Sequence, residues 1–157
     1  MPLSRTLTTA LSAALIALPV FAQDAPRPGY GANITTDAAK KIAAGVLKEC
    51  AAHKWNVAVA VVDTAGGLVY YERMEDTQSA SYDIAIMKAK AAATYRRTTR
   101  VFMDGINKTP ATATLPGVVG SPGGVPIFVS GKIIGAVGVS GVTGDQDEQC
   151  AKAGMGS

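Results

Sequence analysis

One histidine and two cysteines among 157 residues are too few for a four-ligand cysteine–histidine zinc centre or a histidine-rich metal site. Charge is also sparse: 17% of residues are Asp, Glu, Lys or Arg, below the usual quarter, and the net charge is only +3. A balance that weak and dispersed gives no argument for a nucleic-acid surface, and no nucleic-acid partner is expected. Aromatics are 6% of the chain. The only long apolar stretch, near the N-terminus, covers about ten residues and is too short to span a bilayer. No GxSxG, HExxH, CxxC or P-loop pattern occurs. A Ser-His-Asp triad would have to use His53, and nothing singles out a partner serine.

What is present is an apolar, glycine-rich chain. Hydrophobic residues make up 48% and glycine occurs 17 times, which excludes a disordered chain and implies tight turns or close backbone approaches. Residues 1–22 read as a removable export signal: Arg5 gives a positive start, Leu11 to Val20 an apolar stretch, and Val20 and Ala22 a small-residue cleavage pattern. Periplasmic or secreted localisation is expected, with no membrane span. Residues 23–34, rich in Pro and Gly, read as a flexible leader, and 35–157 as one domain. In an exported protein Cys50 and Cys150 either form a disulfide that ties the two ends of the domain together or sit as buried thiols.

Thr35-Thr36-Asp37 is a helix start, and Ala39, Ile42, Ala43, Val46, Leu47 and Cys50 recur at helical spacing to about His53. The continuous run Val57–Val62 reads as a buried strand, Asp63–Gly67 as a turn, and Leu68–Arg73 as the returning strand. Residues 79–99 form the strongest helix signal, with a short helical turn over 100–107. Residues 108–124 read as an irregular loop. Val125–Val129 and Lys132–Ser140 form a second hairpin, with Gly135 and Gly138 leaving room for something to pack closely. A last helix opens on Asp145, Asp147 and Glu148, read chiefly as stabilisers of its N-terminus. Two antiparallel hairpins exclude a parallel doubly wound sheet, so the class is α+β.

Three side chains carry two readings each. His53, at the end of the first helix, is either a surface residue suited to the helix dipole or an axial ligand for haem iron or another metal. Lys88 is either a snorkelling surface lysine or an anion contact in a pocket. Arg73 ends a strand and suits a carboxylate or propionate. Acid–base chemistry on a small organic anion would draw on Asp63, Glu72, Asp83, Lys88 and Asp147.

Four segments together carry a family resemblance: VAVVDTAGGLVYYERME (59–75), SYDIAIMKAKAAATY (81–95), GGVPIFVSGKIIGAVGVSG (123–141) and GDQDEQCAKAG (144–154). Over about residues 34–155 the chain resembles the GlcG/HbpS family of haem-binding proteins, and also the C-terminal domain of PduO-type proteins. The resemblance implies a profilin-like α+β fold with an antiparallel sheet of about five strands, the extra one from Leu115–Val119. It implies a homo-oligomer and haem or another tetrapyrrole as ligand. It places the Gly-rich segment 117–124, including Gly123 and Gly124, and the helix around Lys88 beside that ligand, with Arg73 or Lys88 on propionates. His53 is the strong donor for iron, and Thr109, Thr112 and Thr114 are weaker oxygen donors. The function expected is an exported tetrapyrrole-binding accessory or sensor protein. The alternatives are an enzyme on an organic anion and an oligomeric envelope interaction module.

Overall fold

A computed structural model describes residues 26–156; the expected export signal lies outside them. The elements run α1 (Thr36–Ala52), β1 (Ala58–Val62), β2 (Leu68–Arg73), α2 (Ser81–Tyr95), α3 (Arg100–Lys108), a 3₁₀ turn (Pro110–Thr114), β3 (Gly124–Val129), β4 (Lys132–Ser140) and α4 (Gly144–Ala153). The four strands form one antiparallel sheet in the order β2-β1-β4-β3.

Central position explains why β1 is apolar throughout: each face of it is covered by helices. Val59 and Val61 join Val137 and Val139 beneath Ala39, Ala43 and Val46 of α1 and Cys150 and Ala151 of α4. Ala58, Ala60 and Val62 face Ala85, Ala89, Ala92 and Ala93 of α2. Small residues on both sides let α2 lie close to the sheet. At Gly138 any Cβ would run into the Ala85 carbonyl, so the bare position expected on this strand is where α2 lies against it. Cys50 and Cys150 are joined by a disulfide, Cα to Cα 5.7 Å, clamping α1 to α4 on the valine-rich face.

Three expectations differ from the fold. The fifth strand is absent: Leu115–Val119 follows the 3₁₀ turn, the Val118 N–H bonds the Leu115 carbonyl at 3.2 Å, and Gly117 has φ +71°. Pro116 has no N–H to give a ladder, and a left-handed Gly117 reverses the chain. The long helix stops at Tyr95, because Arg96 adopts φ 58°, ψ 42° and its N–H returns to the Ala92 carbonyl. Residues 100–108 then form a separate helix. Finally, residues 26–34, the described part of the leader expected over 23–34, make specific contacts with the domain. Tyr30 bridges Ile133, the Tyr30 hydroxyl donates to the Ala93 and Thr94 carbonyls at 2.9 and 3.1 Å, and the buried Ile34 joins the core. Those carbonyls belong to the last turn of α2, where no intrahelical donor is available.

Candidate functional site

Two features stand out: a buried ionic node and an open cleft. The node forms where α2, α4 and the start of β3 converge. Lys88 is 1% exposed and Asp147 is 2% exposed. The Lys88 ammonium donates to Asp147 Oδ2 at 2.7 Å and to the Val139 carbonyl at 3.1 Å. Asp147 Oδ1 accepts from the Val142 N–H at 3.2 Å. Burial raises the Asp147 pKa, and the Lys88 charge and hydrogen bond pull it only part of the way back. Gly123 lies against the pair: at φ +124°, a Cβ there would be 3.0 Å from Lys88 Nζ. A Cβ on Gly124 would strike the Lys88 carbonyl and come within 2.6 Å of the Thr99 methyl. Thr99 and Gly124 exchange hydrogen bonds, Gly124 N–H to Thr99 Oγ1 at 2.9 Å and Thr99 N–H to the Gly124 carbonyl at 3.0 Å. The node therefore fixes both ends of residues 99–124, the segment that carries α3 and the 3₁₀ turn.

Lys88, Gly123 and Gly124 thus meet, but inside the protein. The snorkelling reading of Lys88 does not describe it. The acids at the start of α4 do more than stabilise the helix N-terminus: Asp147 takes Lys88, Glu148 pairs with Arg100 and Lys152, and Asp145 also takes Arg100. Three acids at successive angles around α4 reach partners on three elements.

His53 and Arg73 lie apart from the node. His53 is on the surface at the end of α1, its Nε2 3.2 Å from both Glu49 and Gln149 and its ring stacked on Trp55 at 4.4 Å. The Gln149 hydrogen bond is the main cause that lowers the Glu49 pKa. Arg73 is exposed at the end of edge strand β2.

The cleft has a volume of about 310 Å³ and opens between α3, the 3₁₀ turn and the end of α2. Tyr95, Val101, Phe102 and Leu115 give it apolar and aromatic walls, Gly105 and Thr112 fill one side, and Arg27 and Arg97 supply charge. Tyr95 meets Phe102 edge-on, centroids 5.1 Å apart, and the Arg97 guanidinium lies 5.9 Å from the Phe102 ring centre. The Tyr95 hydroxyl donates to the Pro116 carbonyl at 2.7 Å. None of the five residues expected to bind the ligand lines this cleft; of the threonines named as oxygen donors, Thr112 does. Sequence reading missed it because its walls come from a loop without periodicity and from Arg27 in the leader. The one available signal was Tyr95 followed by Arg96-Arg97 at a helix end.

An antiparallel sheet covered on both faces by helices defines an α+β domain, here with a small cleft that combines aromatic walls and guanidinium groups. The chain belongs to the HbpS-like family: the family model described as "Haem degrading protein HbpS-like" matches residues 34–156. It is 41% identical over 100 residues to protein GlcG of Escherichia coli K12, which covers 63% of this chain and 74% of GlcG. A solved double mutant of Streptomyces reticuli HbpS is 29% identical, with a TM-score of 0.75 over 92% of this chain and 97% of that one. The crystal structure of a PduOC–haem complex shares the fold at a TM-score of 0.72 and 22% identity, covering 79% of this chain and 94% of that chain. Among the described residues no helix is long and apolar enough to cross a membrane, and no group of three His, Cys, Asp or Glu is placed to hold a metal ion.

Proposed function

We propose that this protein binds haem, and that the cleft beside Tyr95 and Arg97 holds it. The observation that carries this reading is the pairing of apolar and aromatic walls with two guanidinium groups in one cleft. Haem presents an apolar ring system and two carboxylates, and arginine is the side chain best matched to a carboxylate. Family membership supports the choice of a tetrapyrrole over other amphiphilic anions. The residues present fit the group: Phe102 and Leu115 for the ring system, Arg27 and Arg97 for the propionates, hydroxyl oxygens for the iron. When bound, haem would supply the iron chemistry. The chain's own part is to orient the macrocycle and to shield one face of it from water. At about 310 Å³ the cleft is at the small end of ligand sites, about 300–1,000 Å³, and takes part of a macrocycle.

Val101 and Leu115 at the cleft, 43% and 47% exposed, favour a homo-oligomer in which a second copy covers what the cleft leaves open. The export signal expected from residues 1–22 and the disulfide favour a periplasmic or secreted setting. The acid–base enzyme reading gains no support from the node, because Lys88 and Asp147 are enclosed and already satisfy each other.

The test is a haemin titration followed at the Soret band. Wild type is expected to bind at one haem per chain, and Arg97→Ala to bind about tenfold more weakly, the loss of roughly one charge-assisted contact. Wild-type binding no stronger than that of a generic control protein removes the proposal.

A further inference from the structure

We propose that the phenol oxygen of Tyr95 is the protein's donor to ferric iron. The inference rests on the haem reading above and deepens it by assigning a ligand.

The case begins with what the cleft offers. Among the described residues no imidazole, thiol or carboxylate lines it, since His53 is committed to Glu49, Gln149 and Trp55, and both cysteines are in the disulfide. Guanidinium groups have no lone pair to give a metal. That leaves two side-chain hydroxyls, Tyr95 and Thr112. Threonine stays a neutral alcohol, a weak donor to a hard trivalent ion. A phenol can ionise, and tyrosinate is an established axial ligand of ferric haem. On coordination the phenol O–H breaks and its proton leaves to solvent, an iron–oxygen bond replaces the bond to the haemin's own water or chloride, which also leaves to solvent, and no electron moves.

Tyr95 is also held in place before any ligand arrives. It closes α2, and the left-handed turn at Arg96 directs the following chain away. Its ring lies against Phe102 at an interplanar angle of 74°. Its oxygen is held by the Pro116 carbonyl on the loop that carries Leu115. That carbonyl belongs to an exposed residue, so water replaces the hydrogen bond when the phenol is deprotonated. A side chain fixed on two sides loses little entropy on binding. Arg27 and Arg97 line the same cleft.

The experiment compares Tyr95→Phe with wild type, using haemin and metal-free protoporphyrin IX as probes. Phenylalanine keeps the contact with Phe102 and removes only the oxygen. Tyr95→Phe is expected to bind haemin at least about tenfold more weakly and to lose the phenolate vibrations seen by resonance Raman in the wild-type complex. Its affinity for metal-free protoporphyrin IX is expected to match wild type, which also shows that the variant is folded. If Tyr95→Phe binds haemin with wild-type affinity and an unchanged spectrum, Tyr95 is not the donor, while the haem reading stands. If wild type binds neither porphyrin, the haem reading itself fails and the assignment with it. If Thr112→Val loses haemin and Tyr95→Phe does not, the donor is Thr112 and the proposal is overturned.

Discussion

Replacing Lys88 by Met would leave the Asp147 carboxylate, 2% exposed, without its cation while removing little volume. Breaking a buried ion pair from one side costs about 3–5 kcal/mol. For a domain of this size roughly 4 °C of melting temperature goes with each kcal/mol, so a fall of about 12–20 °C is expected by thermal unfolding at pH 8. Lys88→Met with Asp147→Asn should recover more than half of that loss, because the amide keeps an acceptor for the Val142 N–H and carries no charge. The pH dependence follows from Asp147. Its folded pKa lies above its ordinary value, so the native state holds the proton more tightly than the unfolded chain. This group's contribution to stability therefore falls as pH rises from the ordinary Asp range, about 3.9, through the raised value. Removing Lys88 takes away the charge that lowers it and raises it further. The cost of Lys88→Met is thus full well above that pKa and shrinks on acidification. A double variant as unstable as the two single losses added, or a cost that grows on acidification, would refute the coupling.

Other consequences can be checked by the same unfolding assays. Cys50→Ala with Cys150→Ala opens a covalent link across 100 residues and is expected to lose up to about 4–5 kcal/mol; a melting point within a few degrees of wild type would show that the bridge contributes little. Gly124→Ala should prevent folding or cost several kcal/mol, since its Cβ meets the Lys88 carbonyl, whereas Gly131→Ala meets nothing and should cost only the left-handed conformation at φ +75°, about 1 kcal/mol; equal effects would contradict the close-approach argument. Among the described residues the buried Tyr71 hydroxyl has no hydrogen-bond partner, so Tyr71→Phe should be neutral or stabilising by about 1 kcal/mol, and a loss of that size would reveal a partner.

The layers of the fold were legible because their signals are local. The β1 run, the two hairpins, the Thr35 helix start and the acidic opening of the last helix follow from periodicity and from capping chemistry, whereas the Thr143 cap was not read. The segment 95–119 was not, because its conformation is set by distant partners. Arg96 reaches the Pro28 carbonyl, Thr99 is held by Gly124, and Arg100 by Glu148 and Asp145. Family resemblance misled at one point: the expected fifth strand falls where Pro116 and Gly117 turn the chain. Neither the helical neighbours of Lys88 nor the resemblance shows that Asp147, 59 residues on, pairs with it across the sheet end. Gly123 and Gly124, which the resemblance places beside the ligand, lie against Lys88, and Gly123 also against the Val139 carbonyl and Asp147.

The location of the ligand is the central claim, and an amide chemical-shift map tests it most directly. With ¹⁵N-labelled protein and diamagnetic gallium protoporphyrin IX, the largest shifts are expected at residues 95–97, 101–105 and 112–118. Shifts centred on His53 and Gln149, or none at saturating porphyrin, would contradict it.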